Sequence, residues 1–103
     1  MKHLKLFENK EELKKYVLML SDTKLSIIET LESSYSDIGK IYNFKTLYRI
    51  NEKGIKKQQE YNPNGSLTLR HSFIIKHMIE NSNDLQTLIN KMEVIYNQIK
   101  YNL

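Results

Sequence analysis

Arg70, Gln58, Gln59 and Asn64 are the residues best equipped to read a pattern of hydrogen-bonding groups. An arginine fork meets two acceptors at once, and a carboxamide sets a donor beside an acceptor. They stand among cations. Residues 39–76 hold eight basic side chains (Lys40, Lys45, Arg49, Lys53, Lys56, Lys57, Arg70 and Lys76) against two acidic ones (Glu52 and Glu60), in a chain whose formal net charge is only +4. The remainder is therefore net acidic, and charge focused in this way raises the local concentration of a polyanion. In the major groove of duplex DNA, Arg70 could contact guanine O6 and N7, while Gln58, Gln59 and Asn64 could read adenine N6 and N7. Lys45, Lys53, Lys56 and Lys57 suit phosphates, which add salt-dependent affinity but little sequence information. Arg49, Asn62, Ser66 and Thr68 complete the candidate DNA-contact set. The competing reading is that these are solvated charges on an exposed hairpin, placed there to prevent aggregation.

Catalytic chemistry has little to work with. The chain has no cysteine, which excludes disulfides, thiolate metal sites and a cysteine nucleophile. His3, His71 and His77 lack the i, i+4 spacing of a helical metal pair, and no paired carboxylate joins them. Glu29 and Glu32 fit a solvated helix face. There is no Gly-x-Ser-x-Gly elbow and no glycine-rich phosphate loop. The expectation is a binding protein that is not an enzyme and carries no cofactor and no metal. Tyr42, Phe44, Tyr48 and Tyr61 could stack on unpaired bases, although core packing also accounts for them.

With 103 residues, 40% hydrophobic and 27% charged, the chain supports one folded domain. Glu8, Lys10, Glu11 and Glu12 interrupt any apolar leader, and no run approaches the ~18 apolar residues of a membrane span. A cytoplasmic protein without membrane contact is expected. Asn9 with Glu12 predicts a capped first helix carrying Leu13, Tyr16, Val17 and Leu20 on one face. Ser21-Asp22-Thr23 then caps a second helix with Leu25, Ile27, Ile28 and Leu31, ending near Ser33-Ser34. Residues 35–50 admit two readings. As a strand, residues 40–50 place Tyr42, Phe44, Thr46, Tyr48 and Ile50 on one face. As helices, Ser36 caps residues 37–42, Asn43 turns, and residues 44–53 form a second helix with Leu47 and Ile50 inward.

Downstream, residues 55–61 and 66–75 read as the two strands of a hairpin closed by Asn62-Pro63-Asn64-Gly65, where Pro63 presets φ and Gly65 accepts a positive φ. The return strand turns Leu67, Leu69, Phe73 and Ile75 one way and Thr68, Arg70 and Ser72 the other. A long amphipathic helix starts near Asn83, with Gln86 three residues on, and carries Leu85, Leu88, Ile89, Met92, Ile95, Tyr96 and Ile99.

Asp37-Ile38-Gly39-Lys40-Ile41-Tyr42 followed by Lys45-Thr46-Leu47-Tyr48-Arg49-Ile50 resembles the second and recognition helices of winged helix-turn-helix DNA-binding proteins. Gly54-Ile55-Lys56-Lys57-Gln58 resembles the start of their wing. The resemblance covers residues 21–75 and implies an α+β fold: helices followed by a β-hairpin wing, with a long C-terminal helix over residues 83–101. The interhelical turn and the recognition segment are both short for the family, which shifts the implied contact with double-stranded DNA onto the wing. Small winged-helix proteins of this kind include plasmid partition adaptors and the accessory proteins of conjugation origins, which act in a relaxosome beside a larger DNA-processing enzyme. Val94, Tyr96 and Tyr101 extend the apolar surface of the last helix beyond one stripe and predict a homodimer through it. The rival from another class is a small phage-encoded inhibitor that binds a host or defence protein, which goes with the strand reading of residues 40–50.

Overall fold

Tyr16-Val17-Leu18-Met19-Leu20 is an unbroken apolar run, and in the computed structural model it forms a strand, β1 (Tyr16–Ser21). The structure describes residues 13–51, 54–60 and 67–101, with residues 51 and 54–60 entering through their backbone pairing alone. β1 pairs antiparallel with β2 (Lys24–Ser36) on one side and with β6 (Met78–Ser82) on the other. Its two faces are both covered. Leu18 packs with Leu25, Ile27 and Ile50 beneath Leu88 and Met92 of α2 (Leu85–Tyr101). Val17 and Met19 pack with Ile28 and Tyr42 beneath Ile74 of α1 (His71–His77). Each side chain fully buried in this way contributes about 1.5–3 kcal/mol.

Among the described residues the sheet has six strands. Its order is β4-β3-β2-β1-β6, where β3 is Gly39–Asn51 and β4 is Gly54–Glu60, and β5 (Thr68–Arg70) also pairs with β3. All pairings are antiparallel.

This α+β sheet overturns the winged helix-turn-helix expectation. The first expected helix overlaps β1, and its cap at Asn9 lies outside the described residues. A strand buried on both faces loses its polar-apolar alternation, so Leu13, Tyr16, Val17 and Leu20 acquire a helical spacing by coincidence. The second expected helix is β2. Its supposed cap is a two-residue hairpin turn in which Asp22 and Thr23 take φ 52 and 64, the positive pair that matches strand twist. Both helices of the expected helix-turn-helix are absent too. Asp37-Ile38 turns β2 into β3, closed by Gly39 at φ 106, a conformation that L side chains rarely adopt. The Ser36 hydroxyl fastens this turn by accepting from the Ile38 amide and donating to the Gly39 carbonyl, both at 3.2 Å.

Residues 40–50 are therefore strand, but not with one apolar face. The register steps from Ile27 opposite Tyr48 to Ile28 opposite Thr46, which leaves Leu47 in a bulge. Tyr42 and Phe44 consequently join the core under α1, while Tyr48 and Ile50 join the core under α2.

The expected wing is also not a hairpin. β4 and β5 do not pair with each other but run in the same direction along β3, end to end, and the expected turn at residues 62–65 lies outside the described residues. Of the expected return strand, among the described residues Thr68–Arg70 is extended and the stretch from His71 on is helical, in α1. Seven residues make a marginal helix by themselves. α1 is held by the buried Ile74, and the Lys76 ammonium in its last turn interacts favourably with the helix dipole.

α2 forms where the periodicity places a helix, with Asp84 as its cap. The Asp84 carboxylate accepts from the Gln86 amide at 3.2 Å and the Thr87 hydroxyl at 2.8 Å. Asn83 instead accepts from the Lys15 amide at 3.0 Å, which ties the helix start to the chain entering β1. Among the described residues no helix is long and apolar enough to cross a membrane.

Candidate nucleic-acid interface

β3 organises the basic part of the molecule because both strands beyond it dock on one side. Asn51, Ile50, Arg49 and Tyr48 pair with Gly54, Ile55, Lys56 and Lys57, and Asn43, Tyr42 and Ile41 pair with Thr68, Leu69 and Arg70. Lys56, Lys57 and Arg70 thus share one edge of the sheet. Arg49 is the register partner of Lys56. Gln58 and Gln59 fall where the β3–β4 register shifts, between Tyr48 opposite Lys57 and Thr46 opposite Glu60.

The remaining expected contacts divide. Lys45 alternates with Phe44 and Thr46 and so lies on the α2 side of the sheet, opposite Glu29. Arg49 sits between Tyr48 and Ile50 and lies on the α1 side. Thr68 and Arg70 flank Leu69, which packs under α1, and both are exposed. The structure therefore puts Lys56, Lys57 and Arg70 on one edge and leaves Lys45 and Arg49 on opposite faces of β3. Lys53, Asn62, Asn64 and Ser66 lie outside the described residues.

Where β5 runs into α1, an open groove of about 420 Å³ is lined by Thr68, Leu69, Arg70, Ser72, Phe73 and Lys76. Ile74 turns into the core, and Ser72, Phe73 and Lys76 at i, i+1 and i+4 form the outer side of α1. The Phe73 ring leans on His77 with centroids 4.4 Å apart. Among the described residues no carboxylate forms an ion pair with Arg49, Arg70 or Lys76; the ion pairs there are Lys15–Glu29 at 3.5 Å and Lys91–Glu80 at 3.3 Å. Phe73 was expected on a packing face. Its i, i+3 and i+4 relation to Lys76 and His77 is the signal that a helical reading would have used.

Behind the groove, the Tyr42 hydroxyl and His71 Nδ1 are 3.1 Å apart and their rings stack at 5.7 Å, which fixes the start of α1 on β3. His71 Nε2 is buried with no hydrogen-bond partner among the described residues. Tyr42 is core, as are the half-buried Phe44 and Tyr48, so these three rings hold the sheet and are not a stacking platform; Tyr61 lies outside the described residues. Among the described residues no three His, Asp or Glu side chains gather as a metal site would require.

The geometry defines an α+β protein whose antiparallel sheet carries one basic edge. Compared with protein-family models, with curated proteins and with solved structures, the chain matches none.

Proposed function

We propose that this protein binds double-stranded DNA through the β4/β5 edge of its sheet, without catalysing a reaction. The observation that carries this reading is a row of cations, Arg49 opposite Lys56, then Lys57 and Arg70 on the same edge, with no acidic partner for Arg49 or Arg70 among the described residues. Opposed like charges weaken a sheet, whereas a phosphate backbone along the edge would neutralise them. Two copies joined through the outer side of α2, where Val94, Ile99 and Tyr101 are exposed, would set two such edges on neighbouring half-sites; light scattering decides between one copy and two. A role beside a larger DNA-processing enzyme of a plasmid or other mobile element, inside the cytoplasm, belongs to the same reading.

The test is retention of random duplexes at two salt concentrations, with sequencing of what is held. An enriched motif whose retention falls steeply with salt supports the reading. The double variant Arg70→Ala with Lys57→Ala is expected to lower affinity about 10- to 100-fold while its thermal transition stays in place. Undiminished binding by that variant would remove the edge from the mechanism.

A second reading has its own observation. The end of the β2–β3 ribbon extends past β1 and exposes Leu31, Tyr35 and Ile38, the last two at 79% and 58%, which is apolar surface of the kind that meets a protein. On this reading the chain is an inhibitor that seats the ribbon on a host or defence protein. Absence of duplex retention at low salt, together with loss of the biological effect in Tyr35→Ser with Ile38→Ser, would favour it.

A further inference from the structure

We infer that the groove between β5 and α1 holds one unpaired nucleotide, so that the preferred ligand is a duplex adjoining a short single strand. This rests on the edge reading, since the groove continues the β4/β5 edge through Thr68 and Arg70. Two features of the groove select the ligand. Arg70 and Lys76 supply positive charge that no carboxylate among the described residues meets, which calls for an anion such as a phosphate. Phe73 supplies an aromatic ring 37% exposed and braced by His77 at 4.4 Å, which calls for a flat apolar partner. A nucleotide combines both, and about 420 Å³ lies within the range of ordinary small-ligand sites. Within a duplex both faces of a base are already stacked, so only an unpaired or terminal base can offer a face to Phe73. The Thr68 and Ser72 hydroxyls at the groove wall can donate to or accept from a base edge or a sugar.

The placement of α1 fits this arrangement. Ile74 and the Tyr42–His71 contact anchor one side of the helix to the sheet, leaving Ser72, Phe73 and Lys76 outward at the end of the basic edge.

The experiment measures fluorescence anisotropy of three probes at one salt concentration: a blunt duplex, the same duplex with thymidine overhangs, and the same duplex with abasic overhangs of equal length and charge. The protein is expected to prefer thymidine over abasic overhangs by roughly five- to a hundredfold, the scale of one base stacked on an aromatic side chain. Phe73→Leu keeps apolar bulk on α1 and is expected to erase that preference, with the thermal midpoint unchanged. Equal affinities for thymidine and abasic overhangs, with the blunt duplex still bound, overturn the groove assignment alone. A preference that survives Phe73→Leu also overturns it. Failure to bind any of the three probes overturns the edge reading and the groove assignment together.

Discussion

The two edges of the sheet treat charge in opposite ways. Along β6, Glu80 is met by Lys91 of α2 at 3.3 Å, and Asn81 accepts from the Lys14 amide at 3.0 Å while its amide group donates to Met78 Sδ at 3.4 Å. That edge is bound into the fold by its own helix and by the chain entering β1. Along β4 and β5, Arg49 faces Lys56 across the ladder and Arg70 follows, with no described carboxylate to neutralise Arg49 or Arg70. An edge needs a few charges to resist aggregation, but directly opposed like charges exceed that requirement and cost stability. The contrast teaches that the first edge is neutralised within the fold, while the second keeps charges that the proposed DNA contact would use.

Both edges depend on the core between them, so the largest expected effect comes from breaking it. Leu18→Ala removes a fully buried side chain from between the sheet and α2 and should cost about 2–5 kcal/mol in denaturant unfolding. It should lower DNA binding only in proportion to the unfolded fraction. Lys56→Glu sharpens the comparison because it separates stability from binding. Opposite Arg49 it replaces a like-charge pair with an attractive one and should gain roughly 0.2–1 kcal/mol. The same change should lower duplex affinity and flatten its salt dependence by about one unit of slope. Loss of stability in Lys56→Glu would mean that the edge is built for the fold after all. The smallest effect lies at the β1–β2 turn. Thr23 is β-branched at φ 64, and Thr23→Gly would leave Asp-Gly, a pair suited to a turn with two positive φ values. A gain of about 1 kcal/mol is expected, a rise of some 4–8 °C in the thermal midpoint, with binding unchanged.

How far the sequence discloses this molecule varies by element, for physical reasons. α2 is legible because it lies on the surface of the sheet, so Leu85, Leu88, Ile89 and Met92 keep the helical period. β1 is not, because layers on both faces bury Val17, Leu18 and Met19 alike and erase the alternation that marks a strand. β3 is half legible: its residues have strong strand propensity, yet the bulge at Leu47 divides Tyr42 and Phe44 from Tyr48 and Ile50. The excess of cations over residues 39–76 can be counted without coordinates. Their arrangement cannot. The Asn62-Pro63-Asn64-Gly65 turn signal favours a hairpin locally, whereas β3 offers both flanking strands a longer partner and takes them end to end. α1 carries no side-chain cap, and its helical state follows from the seat that Ile74 finds on the sheet, a tertiary effect that overrides local propensity. The groove that depends on α1, with Phe73 and Lys76, was hidden for the same reason.

The most direct test of the central claim is the salt dependence of duplex binding, measured on the wild-type protein and on Arg70→Ala with Lys57→Ala. If Arg49, Lys56, Lys57 and Arg70 meet phosphates, the logarithm of the association constant should fall with the logarithm of salt concentration at a slope of about −3.6, and the double variant should flatten it by about 1.8. A slope near zero, or one that the two substitutions leave unchanged, would contradict the assignment of the β4/β5 edge to DNA.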